Sequence, residues 1–222
     1  MNLIKFDHGT WPYLAKQRTR LLTEYALTIE SSDIEISNAL NDVISKDMAT
    51  IAAYLPINVN NVNNVLDIGC GIGLIDLGLF RYYKDRNILF NLIDKDDFPT
   101  EDKVYRGFRE DYCAYNNLYY TESFLKTNGL LNTNTISATD TDSINKLPKQ
   151  DLIISLLSCG WHYPISTYIK VIKEKCHNET VVILDVRNNT NGEEILKNTF
   201  SRIVIVNNKS EEKIGKRYVC KI

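Results

Sequence analysis

Asp67-Ile68-Gly69-Cys70-Gly71-Ile72-Gly73 sets one carboxylate two residues ahead of three glycines at alternate positions. The apolar pair Val65 and Leu66 precedes it and a helical pattern from Leu74 to about Tyr83 follows, so the stretch reads as strand, tight turn and helix start. Such a turn needs open dihedrals and no side chain between backbone and ligand. The helix start adds free N–H groups at the positive end of a dipole. A pyrophosphate is one ligand for that arrangement, but its glycines are spaced G-x-G-x-x-G, and here the third arrives one residue early. A second acid, Asp94, ends the apolar run that starts at Ile88. It lies about twenty residues beyond the turn, the spacing at which a carboxylate takes a ribose hydroxyl in nucleotide-binding units. A carboxylate suits a vicinal diol because it accepts two hydrogen bonds at once. The third group is His162, in Ser158-Cys159-Gly160-Trp161-His162-Tyr163-Pro164, an imidazole fit to serve as general base. His8 and His177 lie in poorer contexts. Each group also has a plainer reading: glycines for packing alone, a solvated acid at a strand end, a structural histidine.

Asp-x-Gly-x-Gly-x-Gly closely resembles motif I of the class I S-adenosylmethionine (SAM) methyltransferases, and the resemblance spans roughly residues 60 to 222. It implies SAM as cofactor and S-adenosylhomocysteine as product. Asp67 would answer the ammonium of the amino-acid tail, and Gly69, Cys70, Gly71 and Gly73 would give backbone access. Asp94, with Lys95 after it, would take the ribose. Asp140, with Asp142 as close competitor, would reach the adenine amino group, and Ser155 would stand at the end of strand four on the cofactor side. The segment after strand four is where the family places its acceptor-facing motif IV, here Ser158, Trp161, His162 and Tyr163. Nucleic-acid amino methyltransferases carry Asn- or Asp-Pro-Pro-aromatic there, and this chain does not. Cytosine C5 enzymes use Pro-Cys, whereas Cys159 follows Ser158 and reads as a small buried residue. Catechol-type enzymes hold Mg²⁺ between carboxylates past strands four and five. Strand four supplies none and Asp185 alone is too few, so no metal is expected.

What remains is O-methylation of a small-molecule acceptor, with His162 as base and Tyr163 beside it. Gly-x-His-Tyr-Pro is similar to sequences of uncharacterised bacterial methyltransferases, which implies a sugar or cell-surface polymer precursor as acceptor. The alternatives are a protein or RNA methyltransferase, or a SAM-fold binding subunit without turnover.

The elements that must position these groups read as one α/β unit. Ser32 with Glu35 forms a capping box for a helix whose apolar face is Ile36, Leu40, Val43, Ile44, Met48 and Ile51, stopped by Pro56. Before it, Leu14, Arg18, Leu21, Leu22, Tyr25 and Ile29 recur at helical spacing. These two helices make an N-terminal cap, residues 1–57. It either packs on the sheet or covers the site with Trp11, Tyr13, Gln17 and Arg18. The core, residues 58–222, carries strands near 65–68, 88–94, 135–140, 151–157, 181–186, 203–206 and 216–222. The resemblance implies a seven-stranded, mostly parallel Rossmann-like sheet, its last strand antiparallel, with helices on both faces and the N-terminal extension added. Tyr115 and Asn116, in the irregular aromatic segment 97–133, are expected on the substrate side.

Composition sets the outer bounds. An apolar share of 44% suffices for a core, and a net charge of −2 gives no global basic field for a phosphate backbone, which argues against a general nucleic-acid binder. Five scattered cysteines without a C-x-x-C pair read as reduced thiols of a cytoplasmic protein. The start lacks the apolar core of a signal peptide, and no run reaches the ~18 apolar residues of a membrane span. Monomer and homodimer both stay open.

Overall fold

Strand β1, Asn64–Ile68, is buried from Val65 onward, Asp67 included, as a central strand of a parallel sheet must be. The computed structural model describes residues 3–6, 24–28, 30–56, 62–84, 87–96, 108, 116–206 and 214–222. Helix α1 is Asp33–Ile51, α2 Leu74–Tyr83, α3 Leu118–Thr127, α4 Thr141–Lys146, α5 Ile169–Lys175 and α6 Gly192–Thr199. The remaining strands are β2 Leu89–Asp94, β3 Thr133–Ser137, β4 Gln150–Ser155, β5 Cys176–Arg187, β6 Arg202–Val206 and β7 Gly215–Lys221. They form one sheet in the order β3-β2-β1-β4-β5-β7-β6. β1 runs parallel to β2 and to β4, and β4 parallel to β5. β7 is inserted antiparallel between β5 and β6. The seven-stranded arrangement is the expected one.

Alternate residues of each strand feed two hydrophobic layers. On one face Val65, Phe90, Leu92, Leu152 and Ile154 pack with Ile36, Leu40, Ile44 and Ile51 of α1 and with Phe124 and Leu125 of α3. On the other, Leu66, Ile68, Ile93, Ile153 and Val182 pack with Ile144, Ile172 and Leu196. The strand order reverses between β1 and β4, and open α/β sheets bind ligands beyond the carboxyl ends of the strands at that switch point.

α1 shows the capping box: Ser32 N donates to Glu35 Oε2 at 2.8 Å, and Glu35 N to Ser32 Oγ. It packs on α2, where Gly78 leaves room; a Cβ there would lie 2.9 Å from Ile44 Cγ2. This helix therefore packs as part of the main core. The helical reading does not extend as far as Ile29, because Ala26 has φ +51 and residues 26–28 form no helix. Tyr25 instead donates to Asp42 Oδ2 at 2.6 Å and ties the chain to α1. Residues 7–23, with Trp11, Tyr13, Gln17 and Arg18, lie outside the described residues, as does Tyr115. No helix among the described residues is long and apolar enough to cross a membrane.

Candidate functional site

Gly69, Gly71 and Gly73 all have positive φ, at 77°, 55° and 75°. Gly69 N and Cys70 N both donate to Ile93 O, at 2.7 and 3.2 Å, which fastens the turn to the end of β2. The glycines matter for different reasons. A Cβ on Gly69 would lie 1.7 Å from Ser158 Oγ, so the loop after β4 can rest on this turn only because the side chain is missing. A Cβ on Gly71 would meet nothing within 4 Å among the described residues. That backbone faces an opening at the carboxyl ends of β1 and β2.

Asp94 stands at the rim of this opening. Its Oδ2 accepts from Gly71 N at 2.6 Å and its Oδ1 from Lys95 N at 2.7 Å. Burial pushes its carboxyl up to about 6, although the Gly71 and Lys95 N–H groups and Asn116 favour the charged form. Asn116 corrects one expectation. It is buried, and its Nδ2 donates to Gly71 O at 2.7 Å, where Thr121 Oγ1 also donates at 2.7 Å. It braces the glycine turn from behind instead of lining a substrate surface. Asp140 follows β3 and is exposed, but its Oδ1 accepts from Ser143 N at 3.0 Å as the N-cap of α4. Asp142 lies in the first turn of that helix.

Beneath the turn lies an acid the sequence reading did not single out. Asp76 is fully buried in the first turn of α2, beside Asp67, and burial pushes its carboxyl up to about 7. Asp94, Asp67 and Asp76 all act on the Cys70 thiol, which burial first of all drives well above its ordinary value. An acid flanked by Ile75 and Leu77 was the available signal. A buried acid with a raised native pKa binds its proton more tightly folded than unfolded. It therefore contributes stability below about pH 4 that is lost as pH rises toward its native pKa, at about 1.4 kcal/mol per pH unit and group. The ligand-free protein is accordingly expected to be less stable to urea at pH 8 than at pH 5.5, and Asp76→Asn to flatten the part of that slope above pH 6. An unchanged slope in the variant would remove Asp76 as its source.

The loop after β4 completes the site from the other side of the switch point. Ser155 corrects another expectation: it is fully buried, its Oγ donates to Ile68 O at 2.6 Å and accepts from Cys159 N at 3.0 Å. It joins β4 to β1 and presents nothing to a cofactor. Leu157 holds φ +54, costly for a residue with a Cβ, and its N–H donates to Asp185 Oδ2 at 3.1 Å. Ser158 Oγ lies 3.2 Å from Tyr163 OH, so the two hydroxyls stand together against Gly69. Burial pushes the Tyr163 phenol well above its ordinary value; it stays protonated and acts as a hydrogen-bonding group, not as a base. Cys159 is fully buried and its thiol is pushed up to about 12, as expected of a packing residue. Trp161 is buried against β7, where a Cβ on Gly215 would lie 2.2 Å from its Cζ3, and Arg187 lies over its ring. Its indole is wedged into the fold and is not the free substrate-lining ring the sequence suggested. His162 is half-buried, with its N–H donating to Ser158 O at 2.9 Å.

A strand order of 3-2-1-4-5-7-6, a glycine turn after β1, an acid at the end of β2 and a loop after β4 folded onto that turn decide the architecture. The chain has the class I methyltransferase fold. Solved structures agree. A precorrin-6y C5,15-methyltransferase from Geobacter metallireducens GS-15 is 13% identical and matches with a TM-score of 0.50, covering 82% of this chain and 86% of that one. An O-methyltransferase family protein from Burkholderia thailandensis is 11% identical, with a TM-score of 0.53 over 96% of this chain and 70% of that one. A precorrin 8W decarboxylase from Methanobacterium thermoautotrophicum is 18% identical, with a TM-score of 0.52 over 82% and 90%. No family model and no curated protein matches the sequence.

The class I methyltransferase fold thus brings together Asp67, Gly69, Cys70, Gly71, Gly73, Asp94 and Lys95 on one side of the switch point, and Ser158, His162 and Tyr163 on the other. It sets Ser155, Asn116 and Trp161 into supporting positions. Asp185, the acid past strand five, is engaged by Arg217: Nε donates to Oδ1 at 2.7 Å and Nη2 to Oδ2 at 2.9 Å. Among the described residues, no group of three His, Cys, Asp or Glu side chains is placed to hold a metal ion.

Proposed function

We propose that the chain is a SAM-dependent methyltransferase acting on a hydroxyl of a small-molecule acceptor. The observation that carries the reading is the backbone of Gly71, open on its Cα side and hydrogen-bonded to Asp94 at the rim of the same opening. These residues fit the cofactor by their chemistry. The bare glycine backbone admits close approach, the Asp94 carboxylate suits a ribose diol, and the buried Asp67–Asp76 pair suits an ammonium. Bound SAM supplies a methyl group on a sulfonium, which leaves by in-line displacement, so the protein's part is largely positioning.

The loop after β4 then holds the acceptor. Ser158 and Tyr163 offer hydroxyl groups beside the glycine turn, and His162 takes the acceptor's proton as the methyl group arrives. Asp140 just past β3 is the proposed contact for the adenine amino group, through the carboxylate that also caps α4. A sugar or polymer-precursor hydroxyl is the acceptor chemistry this arrangement suits, and the reading places the protein in the cytoplasm, where SAM is made.

Calorimetry with S-adenosylhomocysteine tests the proposal. The parent protein is expected to bind it at one site, and Asp94→Ala to weaken binding by about 1.5–3 kcal/mol, the scale for losing charged hydrogen bonds. Unchanged affinity in that variant would remove Asp94 from the site. Failure of the parent to bind would reject the reading as a whole.

A further inference from the structure

Arg187 ends β5, on the acceptor side of the switch point, and among the described residues it has no acid to answer it. The side chain is half-buried, its Cζ lies 5.5 Å from the centroid of the Trp161 ring, and its Nε is buried with no hydrogen-bond partner among the described residues. Three other described cations around this end of the sheet are satisfied. Arg217 is held by Asp185 and Asp47, and Lys197 and Lys216 both reach Glu193. A desolvated guanidinium donor left empty is unfavourable, and the planar fork of arginine matches the two oxygens of a carboxylate or phosphate.

The position is also rigid. Arg187 N donates to Gly160 O at 2.9 Å, Thr190 Oγ1 donates to Arg187 O at 2.8 Å, and the residue pairs with Gly215 of β7. Trp161 fills the space over Gly215 and so provides a fixed aromatic platform under the guanidinium. From β5 to β1 is two strand spacings, roughly 10 Å. That is a span a small acceptor covers with its reacting hydroxyl at one end and an anionic group at the other.

We propose that Arg187, stacked on Trp161, recognises an oxyanion (a carboxylate or a phosphate) on the methyl acceptor. The inference rests on the methyltransferase reading and narrows its substrate class to anionic small molecules. Arg187 is a specificity residue here and takes no part in proton transfer.

Inorganic phosphate is the probe, added to protein saturated with S-adenosylhomocysteine and labelled with ¹⁵N in arginine and tryptophan. The Nε–H resonance of Arg187, identified by its loss in Arg187→Lys, is expected to shift saturably, and the Trp161 indole N–H with it. In Arg187→Gln the indole response should weaken at least ~10-fold, the scale of a lost charge-assisted hydrogen bond, while S-adenosylhomocysteine binding and melting temperature stay near the parent's. If Arg187→Gln folds poorly, Arg187→Lys gives the same comparison with the charge kept. No saturable shift of Arg187 in protein that binds S-adenosylhomocysteine overturns the inference and leaves the methyltransferase reading standing. An equal response of the exposed Arg202 overturns it too, because the binding would then be unspecific. A parent protein that does not bind S-adenosylhomocysteine rejects both.

Discussion

Arg217→Ala is expected to cost about 3–5 kcal/mol of folding stability, the scale for removing one partner of a buried ion pair. Arg217 and Asp185 are each 2% exposed. Three elements meet at this pair. Arg217 lies on β7 and Asp185 on β5, and the guanidinium also donates to Thr50 Oγ1 and, at 3.2 Å, to Asp47 Oδ1 of α1. Burial alone would lower the Arg217 pKa, but Asp185 and Asp47 outweigh it and raise the pKa above its ordinary value, so the guanidinium stays charged across the accessible range. The alanine variant takes the guanidinium away from a buried carboxylate whose Oδ2 also accepts from Leu157 N. The effect should therefore reach the site, because that same hydrogen bond holds Leu157 in its left-handed conformation at the root of the Ser158–Tyr163 loop. Urea denaturation is the measurement, and S-adenosylhomocysteine affinity should fall with stability. The double variant Asp185→Asn/Arg217→Met should recover part of the loss, since it removes the stranded charge. A single Arg217→Ala variant within about 1 kcal/mol of the parent would show that the pair contributes little.

The elements near the site were legible because their patterns are local. Val65–Ile68 and Leu89–Asp94 are mostly apolar runs of strand length, the first followed by Gly69 and the second ended by Asp94. Ser32 and Glu35 announce a helix start three residues apart, and the alternate glycines fix the turn. The supporting roles were not legible, because they depend on partners distant in the chain. Asn116 looked like an accessible amide in an aromatic segment, yet it answers a carbonyl 45 residues away. Ser155 stood where a strand end should meet a ligand, but the close approach of β1 takes its hydroxyl first. Trp161 offered a large ring in a glycine-rich loop, and only the inserted β7 with Gly215 shows where it goes. Arg217 and Asp185 are 32 residues apart, and neither has a local pattern that announces the other. Of the three polar groups read as chemistry, the turn and Asp94 lie together, and the third, His162, is the one expected to matter most for turnover.

His162→Ala is expected to lower turnover by about 10²–10⁴, the usual contribution of a positioned general base. The loop fixes its place: Ser158 O accepts from His162 N, Cys159 bridges to Tyr163, and Trp161 is anchored in the core before it. Tyr163 is kept protonated by burial and Cys159 is likewise a neutral thiol, so neither competes for the proton at neutral pH. Asp94 is taken up by two backbone N–H groups on the cofactor side. Among the groups of this loop, that leaves the imidazole as the one whose ordinary pKa, about 6.5, suits proton transfer near neutrality. The variant should keep near-normal S-adenosylhomocysteine affinity, because the glycine turn and Asp94 lie on the other side of the switch point. Its pH–rate profile should lose the ascending limb near the imidazole pKa. A fall in kcat with unchanged cofactor affinity separates this role from a structural one, in which melting temperature, cofactor binding and turnover would decline together. An acceptor that is already anionic at its reacting atom needs no base. A stable His162→Ala protein with turnover within a few-fold of the parent would therefore exclude His162 as base and point to such an acceptor.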